Sequence, residues 1–122
     1  MENLNRIGLD SEKSVILIDK LNLLLSNYQI FYMNTRGFHW NIKGEKFFEL
    51  HLKFEELYNN LILKIDEIAE RILTLGGTPY HTYSEYLKKS EIDEVSGLNN
   101  STGTVENVLQ SFKILIIKQR EI

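Results

Sequence analysis

Apolar residues recur at intervals of three and four along most of this chain. From Ser11 they fall at Val15, Ile18, Leu21, Leu25, Tyr28 and Tyr32, the period of one helix face. Asp10 or Ser11 supplies an N-cap, and Glu12 suits the positive end of the helix dipole. The spacing predicts a helix running to Asn41 and broken at Gly44. The aromatic, Ile and Val residues favour a strand, but length and spacing outweigh them.

A second helix is expected from near Glu45, with its stripe at Phe47, Leu50, Phe54, Leu57, Leu61, Ile65, Ile68 and Ile72. Gly76–Gly77 followed by Pro79 is a mechanistic stop: Gly takes the left-handed turn and Pro cannot continue the helix. About 30 residues make a helix roughly 45 Å long, which points to a bundle. Thr82 and Glu85 have capping-box spacing and predict a short helix inside the connection that follows. Ser96–Thr104 reads as loop. A third long helix is expected from Thr102 or Thr104, with Val105, Val108, Leu109, Phe112, Leu115 and Ile116 on its apolar face. It is still in progress at Arg120. The fold class is therefore all-α: three long helices and a short one in the crossover, in a single domain spanning 1–122.

Composition narrows the chemistry. The chain has 122 residues and no cysteine, which excludes a disulfide scaffold and thiolate metal ligation. A cytoplasmic protein is expected. No apolar run is long enough for a membrane span, and Met1–Lys13 is polar rather than signal-like. Fourteen basic residues against 17 acidic ones give a net charge of -3, with no broad attraction to nucleic acid.

The histidines are His39, His51 and His81. His51 and Glu55 stand four apart on the second helix, as do Asp66 and Glu70, and residues at that spacing share a face. All four project within a narrow arc beside the apolar stripe. A carboxylate pair on a long helix is usually a solvated face, and a lone His beside an apolar stripe is usually structural. His39–Trp40 alone reads as an aromatic packing corner. His51 and Asp66 lie about 22 Å apart along the helix, so the two pairs cannot grip one ion from a single chain. Two copies of the helix packed antiparallel about a two-fold axis bring each pair against the other, in two identical sites. Imidazole and carboxylate donors suit Fe, Mn or Zn. His81 is expected on the surface or in a loop.

Three stretches then act together. Asn34-Thr-Arg-Gly-Phe-His39-Trp40-Asn-Ile-Lys-Gly44, Phe47-Phe-Glu-Leu-His51-Leu-Lys-Phe-Glu55-Glu-Leu-Tyr58 and Ile65-Asp66-Glu-Ile-Ala-Glu70-Arg-Ile-Leu-Thr-Leu-Gly76-Gly77 closely resemble the Dps family of mini-ferritins. The resemblance is clear over Leu21–Val95 and looser in the third helix. It implies a ferritin-like four-helix bundle and a di-iron ferroxidase centre between subunits. His39, His51 and Glu55 would come from one chain, and Asp66 and Glu70 from its two-fold mate. Many members have Asp at the position of Glu55, and Glu is one methylene longer. Trp40 would lie beside the centre, able to supply an electron or become oxidised. The resemblance further implies Fe(II) and hydrogen peroxide as substrates, ferric storage in a dodecameric homo-oligomer, and protection from oxidative damage. An ordinary ferritin is disfavoured, because no Glu here has His three residues later.

Two readings compete with the ferroxidase: a non-catalytic helical assembly protein, and a Zn- or Mn-binding protein using the same site. DNA binding is expected to be weak, since Arg6 and Lys13 face Glu2, Asp10 and Glu12 in the N-terminal segment. Against a mini-ferritin, a fourth long helix is missing, so the domain is expected to be C-terminally incomplete.

Overall fold

The computed structural model describes residues 11–122. The N-cap expected at Asp10 and most of the segment weighed for DNA binding lie outside the described residues. Four helices follow in order: α1 Ser11–Asn41, α2 Phe47–Thr74, α3 Tyr83–Lys89 and α4 Ser101–Arg120. No strand occurs among the described residues. The fold is all-α, as the periodicity predicts.

The centre of the bundle is α1, against which α2, α3 and α4 all pack. It runs antiparallel to α2: Phe38 meets Phe54 at 5.7 Å and Tyr32 meets Tyr58 at 6.1 Å between ring centroids. It is also antiparallel to α4, where Phe31 meets Phe112 edge-on at 5.3 Å and Gln119 donates to the Tyr28 hydroxyl at 2.6 Å. Phe31, Phe38, Leu25 and Ile72 are almost wholly enclosed. Each such side chain contributes about 1.5–3 kcal/mol of transfer free energy.

The turn between α1 and α2 is tight. Gly44 takes φ +105°, and Phe47 N–H donates to the Gly44 carbonyl at 3.1 Å to start α2. At the far end Gly76 takes φ +85°. Gly77 turns back against α1 so closely that a Cβ there would meet Ile18 at 2.7 Å. Thr82 caps α3 as predicted, accepting from the Glu85 amide and donating to its carboxylate at 2.8 Å.

Two readings of the apolar pattern need correction. In α1, Val15 is exposed, while Asn22, Ser26, Asn27, Asn34 and Thr35 are buried. From Leu21 to His39 the helix is enclosed nearly all round rather than along one stripe. Its asparagines are buried because they hold the crossover. Asn22 donates to the Thr78 carbonyl and accepts from Tyr80 N–H. Asn27 Oδ1 accepts from Glu91 N–H, Ile92 N–H and the Ser90 hydroxyl. Asn34 donates to the Asp93 carbonyl and accepts from Val95 N–H. Backbone groups without a sheet partner are thus satisfied by side chains.

In α4 the start lies at Ser101, capped by Asn100, whose Oδ1 accepts from Gly103 N–H at 2.6 Å. The expected start at Thr102 or Thr104 is late, because Asn100 replaces those threonines as the cap and Thr104 is buried. Its enclosed face is Thr104, Val108, Ser111 and Leu115, with Val105, Leu109, Phe112 and Ile116 exposed. The end of α4 is tied by Lys118, which pairs with Glu91 at 2.7 Å and Glu121 at 3.4 Å.

Candidate metal centre

The short turn sets the C-terminal end of α1 beside the N-terminal end of α2, and this brings His39 to His51. Their rings stack 15° from parallel with centroids 3.8 Å apart. Each ring then bonds to the other residue's backbone. His39 Nδ1 lies 2.6 Å from the His51 carbonyl, and His51 Nδ1 lies 2.8 Å from the His39 carbonyl. A carbonyl oxygen can only accept, so both Nδ1 atoms carry a proton. In the neutral imidazole the lone pair is then on Nε2 of both rings. This is how a backbone acceptor orients a metal-binding histidine.

Glu55, one turn beyond His51, reaches the same place. Its Oε1 is 3.7 Å from His39 Nε2. His39 is buried, whereas His51 and Glu55 are half-buried and open toward the outside of the bundle. Phe47 stacks on His51 at 5.0 Å, and Tyr58 meets His39 edge-on at 5.3 Å. Two imidazole nitrogens and one carboxylate therefore share one patch. Among the described residues of one chain, no three His, Asp or Glu side chains converge closely enough to hold a metal ion.

Asp66 and Glu70 do not join this patch. Both are exposed, and neither has an ion-pair partner among the described residues. They stand farther along α2, Asp66 about 22 Å and Glu70 about 28 Å from His51. Their surroundings are informative. Phe48, Leu52, Ile62, Leu63 and Leu73 are exposed large apolar side chains on the same helix. At about 100° per residue, all five project within roughly 60° of Asp66, as do Glu55 and Glu70. One open stripe of α2 thus carries both the acidic residues and a row of uncovered hydrophobic ones.

Trp40 sits at the edge of this region, 58 % exposed. Arg36, one helical turn earlier, lies with its guanidinium carbon 4.7 Å from the Trp40 ring centroid and 5.6 Å from those of Tyr32 and Tyr58. Sequence reasoning passes over Arg36 and Tyr58. The four-residue steps from Tyr32 to Arg36 to Trp40 were the available signal, but an arginine on a helix is ordinarily solvated. His81 is exposed in the crossover, its Nδ1 3.0 Å from the Pro79 carbonyl, away from the other histidines as expected.

Comparison with known proteins identifies the family. Residues 18–121 match the family model of the ferritin-like domain. A DNA protection during starvation protein of Porphyromonas gingivalis is 44 % identical over 115 residues, covering 94 % of this chain and 72 % of that protein. The chain belongs to the Dps family. An uncharacterised Haemophilus influenzae protein is 55 % identical, covering 95 % of this chain and 72 % of its own length. The crystal structure of the Vibrio cholerae O1 Dps superposes with a TM-score of 0.95 at 52 % identity, over 97 % of this chain and 74 % of that one. That protein is described as a member of a broad superfamily of ferritin-like diiron-carboxylate proteins. Family membership supports an iron-storage and stress-protection role for this chain. Among the described residues, no helix is long and apolar enough to cross a membrane.

Proposed function

We propose that this Dps protein is a ferroxidase whose site is shared by two copies of the chain. His39, His51 and Glu55 of one copy and Asp66 and Glu70 of the other hold two Fe(II) ions as substrate. The observation that carries this reading is the reciprocal pair of Nδ1-to-carbonyl bonds, which leaves both Nε2 lone pairs free, that of His39 3.7 Å from Glu55 Oε1. A packing role needs no such orientation. The stripe on α2 supports the second half. Exposed Phe48, Leu52, Ile62 and Leu63 give a second copy of α2 a surface to cover, with the acidic residues in the same arc.

Hard, anionic carboxylates favour Fe(III) over Fe(II). Hydrogen peroxide is the proposed oxidant. It takes one electron from each of two Fe(II) ions and two protons, and leaves as two waters. A paired transfer avoids the hydroxyl radical that one-electron reduction of peroxide releases. The ferric product is stored inside a closed homo-oligomer, a dodecamer by family, in the cytoplasm. DNA binding is not part of the proposed activity.

The test is His51→Ala. Peroxide-driven Fe(II) oxidation, followed by ferric absorbance, should slow by at least about tenfold, since one ligand and the His39 carbonyl contact are both lost. Unchanged kinetics would remove His51 from the site. Metal analysis after purification without chelators separates iron from the zinc or manganese alternative.

A further inference from the structure

Arg36 has an unusual environment. No carboxylate lies within ion-pair distance of it among the described residues. Its Nε is buried with no hydrogen-bond partner. Among the described residues its side chain makes one hydrogen bond, a long one from Nη1 to the Tyr32 hydroxyl at 3.4 Å. The charge is instead placed against the rings of Trp40, Tyr58 and Tyr32. Tyr58 in turn touches His39, and Trp40 follows His39 in the chain. An un-neutralised cation therefore stands among the oxidisable rings next to the candidate centre.

A cation against an aromatic face is attracted to the π electrons of the neutral ring. Removal of an electron reverses that interaction. The ring becomes a cation, and the two positive charges repel at contact distance. We propose that Arg36 holds back one-electron oxidation of Trp40, and with it of Tyr58, so that oxidising equivalents stay on the substrates. The consequence for iron turnover rests on the ferroxidase reading above; the electrostatic effect on Trp40 does not.

The experiment uses iron-free protein and the fluorescence of Trp40, the single tryptophan of the chain. Chlorine dioxide, an uncharged one-electron oxidant, accepts one electron from the indole and becomes chlorite. The indole radical cation then loses its Nε1 proton to water, and fluorescence is lost. The oxidant carries no charge to be steered, and in 0.01 M salt the screening length of about 30 Å leaves Arg36 unscreened from the ring at 4.7 Å. Arg36→Gln should bleach about fourfold faster than wild type or more, the factor expected for unit charges this close even at the dielectric of water. Arg36→Lys, which keeps the charge, should stay within about twofold of wild type.

Equal rates for wild type and Arg36→Gln would overturn the proposal. So would an Arg36→Lys rate equal to that of Arg36→Gln, which would assign any protection to ring coverage rather than charge. If Arg36→Gln does not fold, Arg36→Leu, an uncharged side chain that still covers the ring, takes its place; it too should bleach several-fold faster than wild type, and a rate equal to wild type overturns the proposal. A parallel run with Fe(II) and peroxide should show more Trp40 lost per iron oxidised in Arg36→Gln. A protein that passes the bleaching test but oxidises no iron contradicts the ferroxidase reading and leaves the role of Arg36 standing.

Discussion

At the scale of residues, the centre depends on which nitrogen each histidine leaves free. His39 and His51 settle that by bonding to each other's backbone, an arrangement available only because α1 and α2 run antiparallel at hydrogen-bonding distance. The twelve-residue interval between them can be read in the sequence; the exchange of carbonyls cannot, because it belongs to the pair of helices. The buried phenols show a related dependence on packing. Burial raises the pKa of Tyr28 and of Tyr86 above the ordinary 10.0, in each case partly offset by a side-chain hydrogen bond, from Gln119 and Gln29. Lys118 is raised above 10.5, chiefly by its hydrogen bond to Glu91. All three folded values lie above the unfolded ones. Their stabilisation is therefore complete below the unfolded pKa and is lost as pH climbs through the folded one. Thermal melts should hold steady up to about pH 9 and decline above pH 10. In Gln119→Leu, which strips the Tyr28 hydroxyl of its partner, the melting temperature should already be lower at neutral pH.

At the scale of elements, the three long helices follow from periodicity and from Gly44 and Gly76, whose positive φ values end them where expected. What periodicity could not show is the role of polar residues in α1. Asn22, Asn27 and Asn34 lie off the apolar stripe, yet they are the anchors for 78–95. Their partners lie about 60 positions away, and no local pattern announces them. Asn27→Ala would leave the Glu91 amide without its acceptor, while Ile92 N–H keeps the Ser90 hydroxyl. At about 1–3 kcal/mol for one group left unpaired, the melting temperature should fall by about 5 °C or more, measurable by calorimetry. A shift under about 2 °C would mean that water replaces the side chain without loss. The same anchors keep the crossover on α1, clear of the open stripe of α2.

At the scale of the whole molecule, the proposed reading gives each chain two different halves of a site. The midpoint between the His51–Glu55 pair and the Asp66–Glu70 pair falls near Asn60, so a two-fold axis that joins them passes close to Ile62 and Leu63. Leu63 is 62 % exposed, and in such a dimer it stands about 4 Å along the helix from the axis, so its two copies lie about 8 Å apart in that direction. Leu63→Arg should set like charges against each other at the axis and lower the mass seen by light scattering, with the helical circular dichroism signal kept. Undiminished assembly would place the axis elsewhere.

The central claim, a ferroxidase site divided between two chains, is tested most directly by complementation. His51→Ala and Asp66→Ala proteins, each assembled alone, should oxidise Fe(II) with peroxide at a small fraction of the wild-type rate. Unfolded together and reassembled, half of the dimers formed at random carry one chain of each kind. Each of these has one site with every ligand and one with neither His51 nor Asp66. Activity should recover to about a quarter of wild type. Recovery to that level is the result predicted here; a mixture no more active than its parents would contradict a shared site.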